Sequence, residues 1–315
     1  MFPPSGAQSG GAPIRATDND AAVARLSAVQ KHYLQDPYIK HLVPRAHLLP
    51  PHPPLINIGT YVRTAAIDSL VDQWLQLASN AGQKCQIAGS LEDNLQVYVE
   101  VDFPEITTKK AMAIKKHKEL VSLLGDPSQV SLAQGGTALR SPKYYLIPTD
   151  IRRPPSEMLE SFLYSSFDAE HPAILDPSIP TLLLFECVLA YMSPVDSSRL
   201  LDWFVKVQQK HNGVLGCIVY EMFGLNDSFG RVMVNNLKER GISLPGADPY
   251  PTVENLPNRF LQTGFSAAHG LTLKEIRRAY IEPSELERHG FPVETLSFLL
   301  TKGRTGSHTL NSWTK

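Results

Sequence analysis

Three cysteines in 315 residues are too few, and the wrong parity, to staple a fold. Cys85, Cys187 and Cys217 each sit in apolar surroundings, so free thiols in a reducing compartment are expected. Long hydrophobic runs are missing as well. The most apolar stretch, Pro180 to Phe185 continuing through Glu186 to Met192, falls short of the ~20 residues that cross a bilayer, and residues 1–20 hold no apolar core of a secretory signal. An excess of one charge is also absent: the formal net charge is −1, which leaves no electrostatic footprint for nucleic acid or an anionic membrane. No G-x-G-x-x-G opens a helix after a strand, which argues against nicotinamide oxidoreductases. The ten histidines are scattered; His117 lies among lysines and His171 precedes a proline, so each is read as a surface or loop histidine. No Ser/His/Asp, Cys/His or metal-ligand spacing occurs, and neither a metal nor a catalytic side chain is expected. The expectation is a cytoplasmic protein with no nucleic-acid or membrane partner.

What is present is apolar material, 43% of the chain, enough for one large domain or two small ones. Residues 1–19, rich in Gly, Pro and Ser, are expected to be a disordered tail. A helix follows, starting at Asp18 to Asp20 and carrying Ala22, Leu26, Val29 and Tyr33 on one face. His41 to Pro54 reads as extended linker. Residues 62–78 show clear helical periodicity through Ile67, Leu70, Val71, Trp74 and Leu75. Thereafter strands at Lys84–Ala88, Gln96–Val101, Tyr144–Pro148, Thr181–Phe185 and Val214–Tyr220 alternate with helices at Thr107–Leu124, Pro155–Leu163, Pro194–Gln209, Phe229–Arg240 and Leu273–Tyr280. That alternation predicts an α/β fold, doubly wound, with a mostly parallel sheet covered on both faces.

In such sheets ligands bind beyond the carboxyl ends of the strands, where strand order reverses. Three successive strands present a carboxylate there: Asp102 after the second, Asp150 after the third and Glu186 at the end of the fourth. Any one of them could simply cap the next helix; three together favour a binding edge. A carboxylate suits a ribose diol at the first position, an exocyclic amine at the second and a cationic group at the third.

The segments Tyr98-Val99-Glu100-Val101-Asp102-Phe103-Pro104, Leu184-Phe185-Glu186-Cys187-Val188-Leu189-Ala190-Tyr191-Met192, Tyr220-Glu221-Met222-Phe223-Gly224-Leu225-Asn226-Asp227 and Ile58-Gly59-Thr60-Tyr61-Val62-Arg63-Thr64 resemble those of leucine carboxyl methyltransferases. The likeness spans roughly residues 20–288. It implies a Rossmann-like methyltransferase sheet with N-terminal helices over 20–288, and S-adenosylmethionine (S-adenosyl-L-methionine) as cofactor. It further implies the C-terminal leucine of the catalytic subunit of type 2A protein phosphatase as methyl acceptor. Carried over by position, Asp102 would hold the ribose, Asp150 and Ile151 the adenine, Glu186 the methionine end and Arg63 the methionine carboxylate. Arg25 stands where the family has a lysine that reaches the cofactor, and Gly89 is the remnant of a glycine-rich turn. Arg63 lies one turn before Ile67 on the stripe with Leu70, Val71 and Trp74. It is expected to point inward from the first turn of its helix, where the dipole disfavours a cation. It must then meet a cofactor carboxylate or a protein carboxylate, or snorkel to water.

Two departures from the family pattern bear on activity. Only Ala88-Gly89-Ser90 corresponds to the glycine-rich turn, and the helix that should follow it is absent. A parallel crossover takes about a dozen residues, so the first strand is expected to pair differently or drop out, leaving the sheet incomplete. The tail 289–315 diverges from the family, with at most a short helix around Val293–Leu300. The alternative to a working enzyme is a non-catalytic relative that keeps only protein binding.

Overall fold

The computed structural model describes residues 11–80, 85–86, 95–165 and 173–288; Gly89 and the tail from residue 289 lie outside them. Seven strands form one sheet: β1 (Cys85–Gln86), β2 (Leu95–Asp102), β3 (Ser131–Ala133), β4 (Ala138–Arg140), β5 (Tyr144–Pro148), β6 (Thr181–Glu186) and β7 (Leu215–Tyr220), in the order β3-β4-β5-β2-β1-β6-β7. Strands β5, β2, β1, β6 and β7 run parallel, and β4 joins β5 antiparallel. The principal helices are α1 (Ala12–Gln30), α2 (Ile39–Leu42), α3 (Pro54–Asn80), α4 (Pro104–Lys116), α5 (Lys118–Leu123), α6 (Pro155–Met158), α7 (Glu160–Leu163), α8 (Pro194–Lys210) and α9 (Ser228–Glu239), followed by α10 (Leu256–Leu261), α11 (Leu273–Tyr280) and α12 (Pro283–Arg288).

Both sheet faces are covered, as the alternating pattern requires. In β6, Leu182 turns to Val71, Leu75 and Ala78 of α3. Its neighbours Leu183 and Phe185 turn the other way, to Leu200, Leu201 and Phe204 of α8. Helix α8 forms where it does because Ser193 accepts from the Asp196 amide and Pro194 opens the first turn, where it loses no hydrogen bond. Where α3 meets β7, Gly216 lets the Trp74 ring lie against the backbone; a Cβ there would come within 2.5 Å of the ring.

Several expectations need correction. Helix α1 begins at Ala12, not at Asp18, so residues 12–19 are helical and not part of a tail. Its first half is held by tertiary contacts that composition does not reveal: Arg15 lies over the Phe103 ring and pairs with Glu105, Asp18 pairs with Lys109, and Asp20 with Arg240. Strand β1 neither drops out nor changes partner; it pairs parallel with both β2 and β6. The strand is only two residues long, with Cys85 in register with Leu95 at the start of β2. The shortfall in the sheet lies in the length of β1. The stretch after His41 contains the end of α2 and a 3-10 turn at Ala46–Leu48. The helix expected over Thr107–Leu124 breaks at His117, whose φ −113° and ψ 111° are extended. That over Pro155–Leu163 breaks at Leu159. Leu70, placed on the buried stripe of α3, is 46% exposed.

Candidate functional site

Because β5, β2, β1, β6 and β7 are parallel, their carboxyl ends share one edge. The chain runs outward from β1 in both directions, to β2 and to β6, so the switch point lies beside β1. Asp102 closes β2 in register with Pro148 of β5, and Glu186 closes β6 in register with Tyr220 of β7. Asp150 and Ile151 follow β5 directly. All three expected carboxylates therefore stand at the same edge.

Arg63 joins them from α3. Its guanidinium donates from Nε to Glu186 Oε1 and lies over the Tyr220 ring, 4.7 Å from the centroid. The anion it meets in this structure is a protein carboxylate. Helix α3 starts at Pro54, so Arg63 sits in its third turn and the dipole argument for its position does not apply. Neither partner is sealed off: the Arg63 and Glu186 side chains are 24% and 39% exposed. Immediately after Glu186, Cys187 adopts φ +56°, a left-handed conformation that costs a non-glycine residue energy, and its amide donates to Tyr220 O at 2.7 Å. Burial pushes the Cys187 thiol above its ordinary range, and Arg63 partly offsets this.

Asp102 and Asp150 differ in how much of their acceptor capacity is free. Among the described residues, the Asp102 carboxylate takes one hydrogen bond, from the Phe103 amide at 2.7 Å. Burial pushes its pKa up to about 6, with Glu100 and Asp18 adding to the rise and the Phe103 amide and Lys110 opposing it. Asp150 is occupied: Arg152 donates its backbone N–H and Nε to Oδ1, and Nε and Nη2 to Oδ2. Burial works to raise the Asp150 carboxyl, but these bonds to Arg152 hold it below the usual range. The Arg152 guanidinium in turn lies 5.1 Å from the centre of the Phe103 ring. Ile151 packs against the apolar cluster under α8 and, with Val99, Val101, Phe185 and Leu200, lines a cavity of about 160 Å³.

Arg25 approaches from α1. Its Nε donates to Asp36 Oδ2 at 2.6 Å and Nη1 reaches Thr64 Oγ1 at 3.5 Å, one residue from Arg63. Gly89 falls outside the described residues. Tyr220, Phe103 and Arg152 were not anticipated. The strand-end rule, applied to β7 as it was to its neighbours, points to Tyr220; nothing in the sequence marks Arg152, because its role depends on where Phe103 turns.

The donor and acceptor set fits a zwitterionic nucleoside. A largely free carboxylate can accept from two hydroxyls, and an exposed Arg–Glu pair can open to accept a carboxylate and an ammonium, one on each partner. Asp150 can accept an exocyclic amine only as Arg152 withdraws some of its donors.

Comparison with known proteins gives the chain a family. A profile of the leucine carboxyl methyltransferase family matches residues 14–205. A Cryptococcus neoformans protein named leucine carboxyl methyltransferase 1 is 40% identical, covering 90% of this chain and 88% of its own length. Proteins of the same name from Schizosaccharomyces pombe and Bos taurus are 32% and 29% identical, covering 91% and 84% of this chain and 89% and 78% of their own lengths. None of these names favours a non-catalytic relative.

Proposed function

Because the chain belongs to the leucine carboxyl methyltransferase family, we propose that it binds S-adenosylmethionine at the carboxyl edge of β2, β5 and β6 and methylates the C-terminal leucine carboxylate of type 2A protein phosphatase catalytic subunits. The observation that carries the reading is the partly exposed Arg63–Glu186 pair beside the Asp102 carboxylate, which takes one hydrogen bond among the described residues. Arg63 would take the methionine carboxylate and Glu186 the ammonium, so one protein ion pair is exchanged for two with the ligand. Asp102 would accept from the ribose hydroxyls, Asp150 and Ile151 would border the adenine, and Arg25 would lend positive charge beside Arg63. The bound cofactor supplies an electrophilic methyl on a sulfonium.

The protein has little acid–base work to do. A leucine carboxylate is ionised at neutral pH, so no side chain need remove a proton from it. Rate enhancement would come from holding the acceptor oxygen in line and from keeping water out. The free thiols of Cys187 and Cys217 accord with a cytoplasmic setting, and no helix of the described residues is long and apolar enough to cross a membrane.

Calorimetric titration of the full chain with S-adenosylmethionine tests the cofactor; micromolar binding is expected, and no heat at millimolar ligand refutes it. Transfer of labelled methyl to a peptide ending in free leucine, but not to its leucinamide counterpart, tests the acceptor. Equal labelling of both peptides would rule out the terminal carboxylate.

A further inference from the structure

The edge of the sheet opposite the candidate site carries a cluster that the proposed reaction does not use. Helix α4 starts just after Asp102 and runs 13 residues, about 20 Å, away from the strand ends. Where it stops, His117 is at once its C-cap and the N-cap of α5. Glu119 follows in the first turn of α5. From 76 positions earlier in the chain, His41 of α2 brings its imidazole to the same place. The His41 and His117 ring centroids are 4.3 Å apart with planes tilted by 42°. One ligand atom from each of His41, His117 and Glu119 lies within 4.8 Å of the others. Neither imidazole makes a side-chain hydrogen bond among the described residues.

We propose that His41, His117 and Glu119 form a binding site for one zinc ion that ties α2 to the α4–α5 junction. Two imidazole nitrogens and one carboxylate oxygen are a borderline donor set that suits zinc, with water as the fourth ligand. Bonds of about 2.0–2.2 Å put tetrahedral ligand atoms about 3.3 Å apart. The cluster must therefore contract, which the exposed Glu119 side chain can do by rotating. The two histidines are already placed. Asp36 Oδ1 accepts from the Tyr38 and Ile39 amides at 2.9 and 3.0 Å and fixes the start of α2. Tyr38 and Leu42 pack on a core that includes Ile114 of α4 and Leu120 and Val121 of α5. The His117 carbonyl accepts from the Leu120 and Val121 amides. Glu119 offers a carboxylate oxygen from an exposed side chain. Lys40 opposes a divalent cation, but its flexible chain can turn to solvent.

The test is zinc titration of the full metal-free chain against a chromophoric chelator, with thermal unfolding in parallel. One equivalent should bind and raise Tm by about 3 °C or more when saturating. His41→Gln and His117→Gln should each weaken binding by ~100-fold, the upper end of what losing even an outer-shell partner costs, and abolish the Tm gain. Glu119→Gln changes an exposed side chain and leaves the fold intact; it should weaken binding, and unchanged affinity would overturn the three-ligand site. Unaltered binding in the His41→Gln/His117→Gln double variant would overturn the proposal. So would a cobalt-loaded protein with sulfur-to-metal charge-transfer bands, which would put the ion on cysteine.

Discussion

Two arginine–glutamate pairs stand back to back at the ends of neighbouring strands. Arg63–Glu186 closes β6, in register with Tyr220 of β7, while Arg259 reaches Glu221, the residue after Tyr220. Each arginine also lies over a tyrosine, Tyr220 at 4.7 Å and Tyr250 at 4.3 Å. Chemically the pairs are twins; burial separates them. Arg63 and Glu186 are 24% and 39% exposed, whereas Arg259 and Glu221 are 1% and 6% exposed. Arg259 also donates to the Gly246 carbonyl and so ties α10 and the loop before it to β7. A pair that water can reach loses less when it separates, since solvent screens its charges in part. A sealed pair cannot separate without leaving a bare charge in the core. The first can be exchanged with a ligand, and the second can only hold structure.

The comparison is broken most sharply at Arg259. Arg259→Ala should cost about 3–5 kcal/mol of folding stability, read from urea unfolding; a loss no larger than that of Arg63→Ala would show that burial does not divide the two pairs. Arg63→Ala should leave stability within about 1 kcal/mol of the parent while weakening S-adenosylmethionine binding by roughly tenfold or more, the worth of one charge-assisted hydrogen bond. A fall in Tm with calorimetric affinity intact would instead make Arg63–Glu186 structural. An effect of the opposite sign is expected at Asp102. Its folded pKa of about 6 lies above its ordinary 3.8, so the favourable contribution of the protonated carboxyl is present below pH ~3.8 and lost as pH rises through about 6. Asp102→Asn should therefore raise Tm by about 2 °C at pH 7.5, with the gain vanishing toward pH 4, and should weaken cofactor binding at pH 7.5. Parent affinity should itself fall below pH 6, and a flat pH profile would remove Asp102 from the binding edge.

Much of the candidate edge is legible because strand ends are marked locally. Tyr144–Pro148 and Leu273–Tyr280 match their expected limits, and Asp102 and Glu186 lie where an apolar run meets a carboxylate. What escaped depends on contacts between distant segments. The first half of α1 is polar and owes its place to Glu105, Lys109, Phe103 and Arg240, each contributed by another part of the chain. The short strands β3 and β4 are three residues each, below the length at which alternation can be read. His41 and His117 looked unrelated because 76 positions separate them, and only the packing of α2 on α4 and α5 brings their rings together. The helix-dipole argument for Arg63 fails because α3 begins at Pro54, two turns before the sequence suggests.

The left-handed turn at Cys187 sets a rule for what evolution can write beside Glu186. With φ at +56°, the position tolerates glycine, asparagine or aspartate readily and rejects valine, isoleucine and threonine. Cysteine is a small compromise that fills apolar space without a branched Cβ. The Glu186 carboxylate proposed to face the ligand thus follows the shape of its neighbour, and a branched residue at 187 would misaim it while every charged residue stays in place.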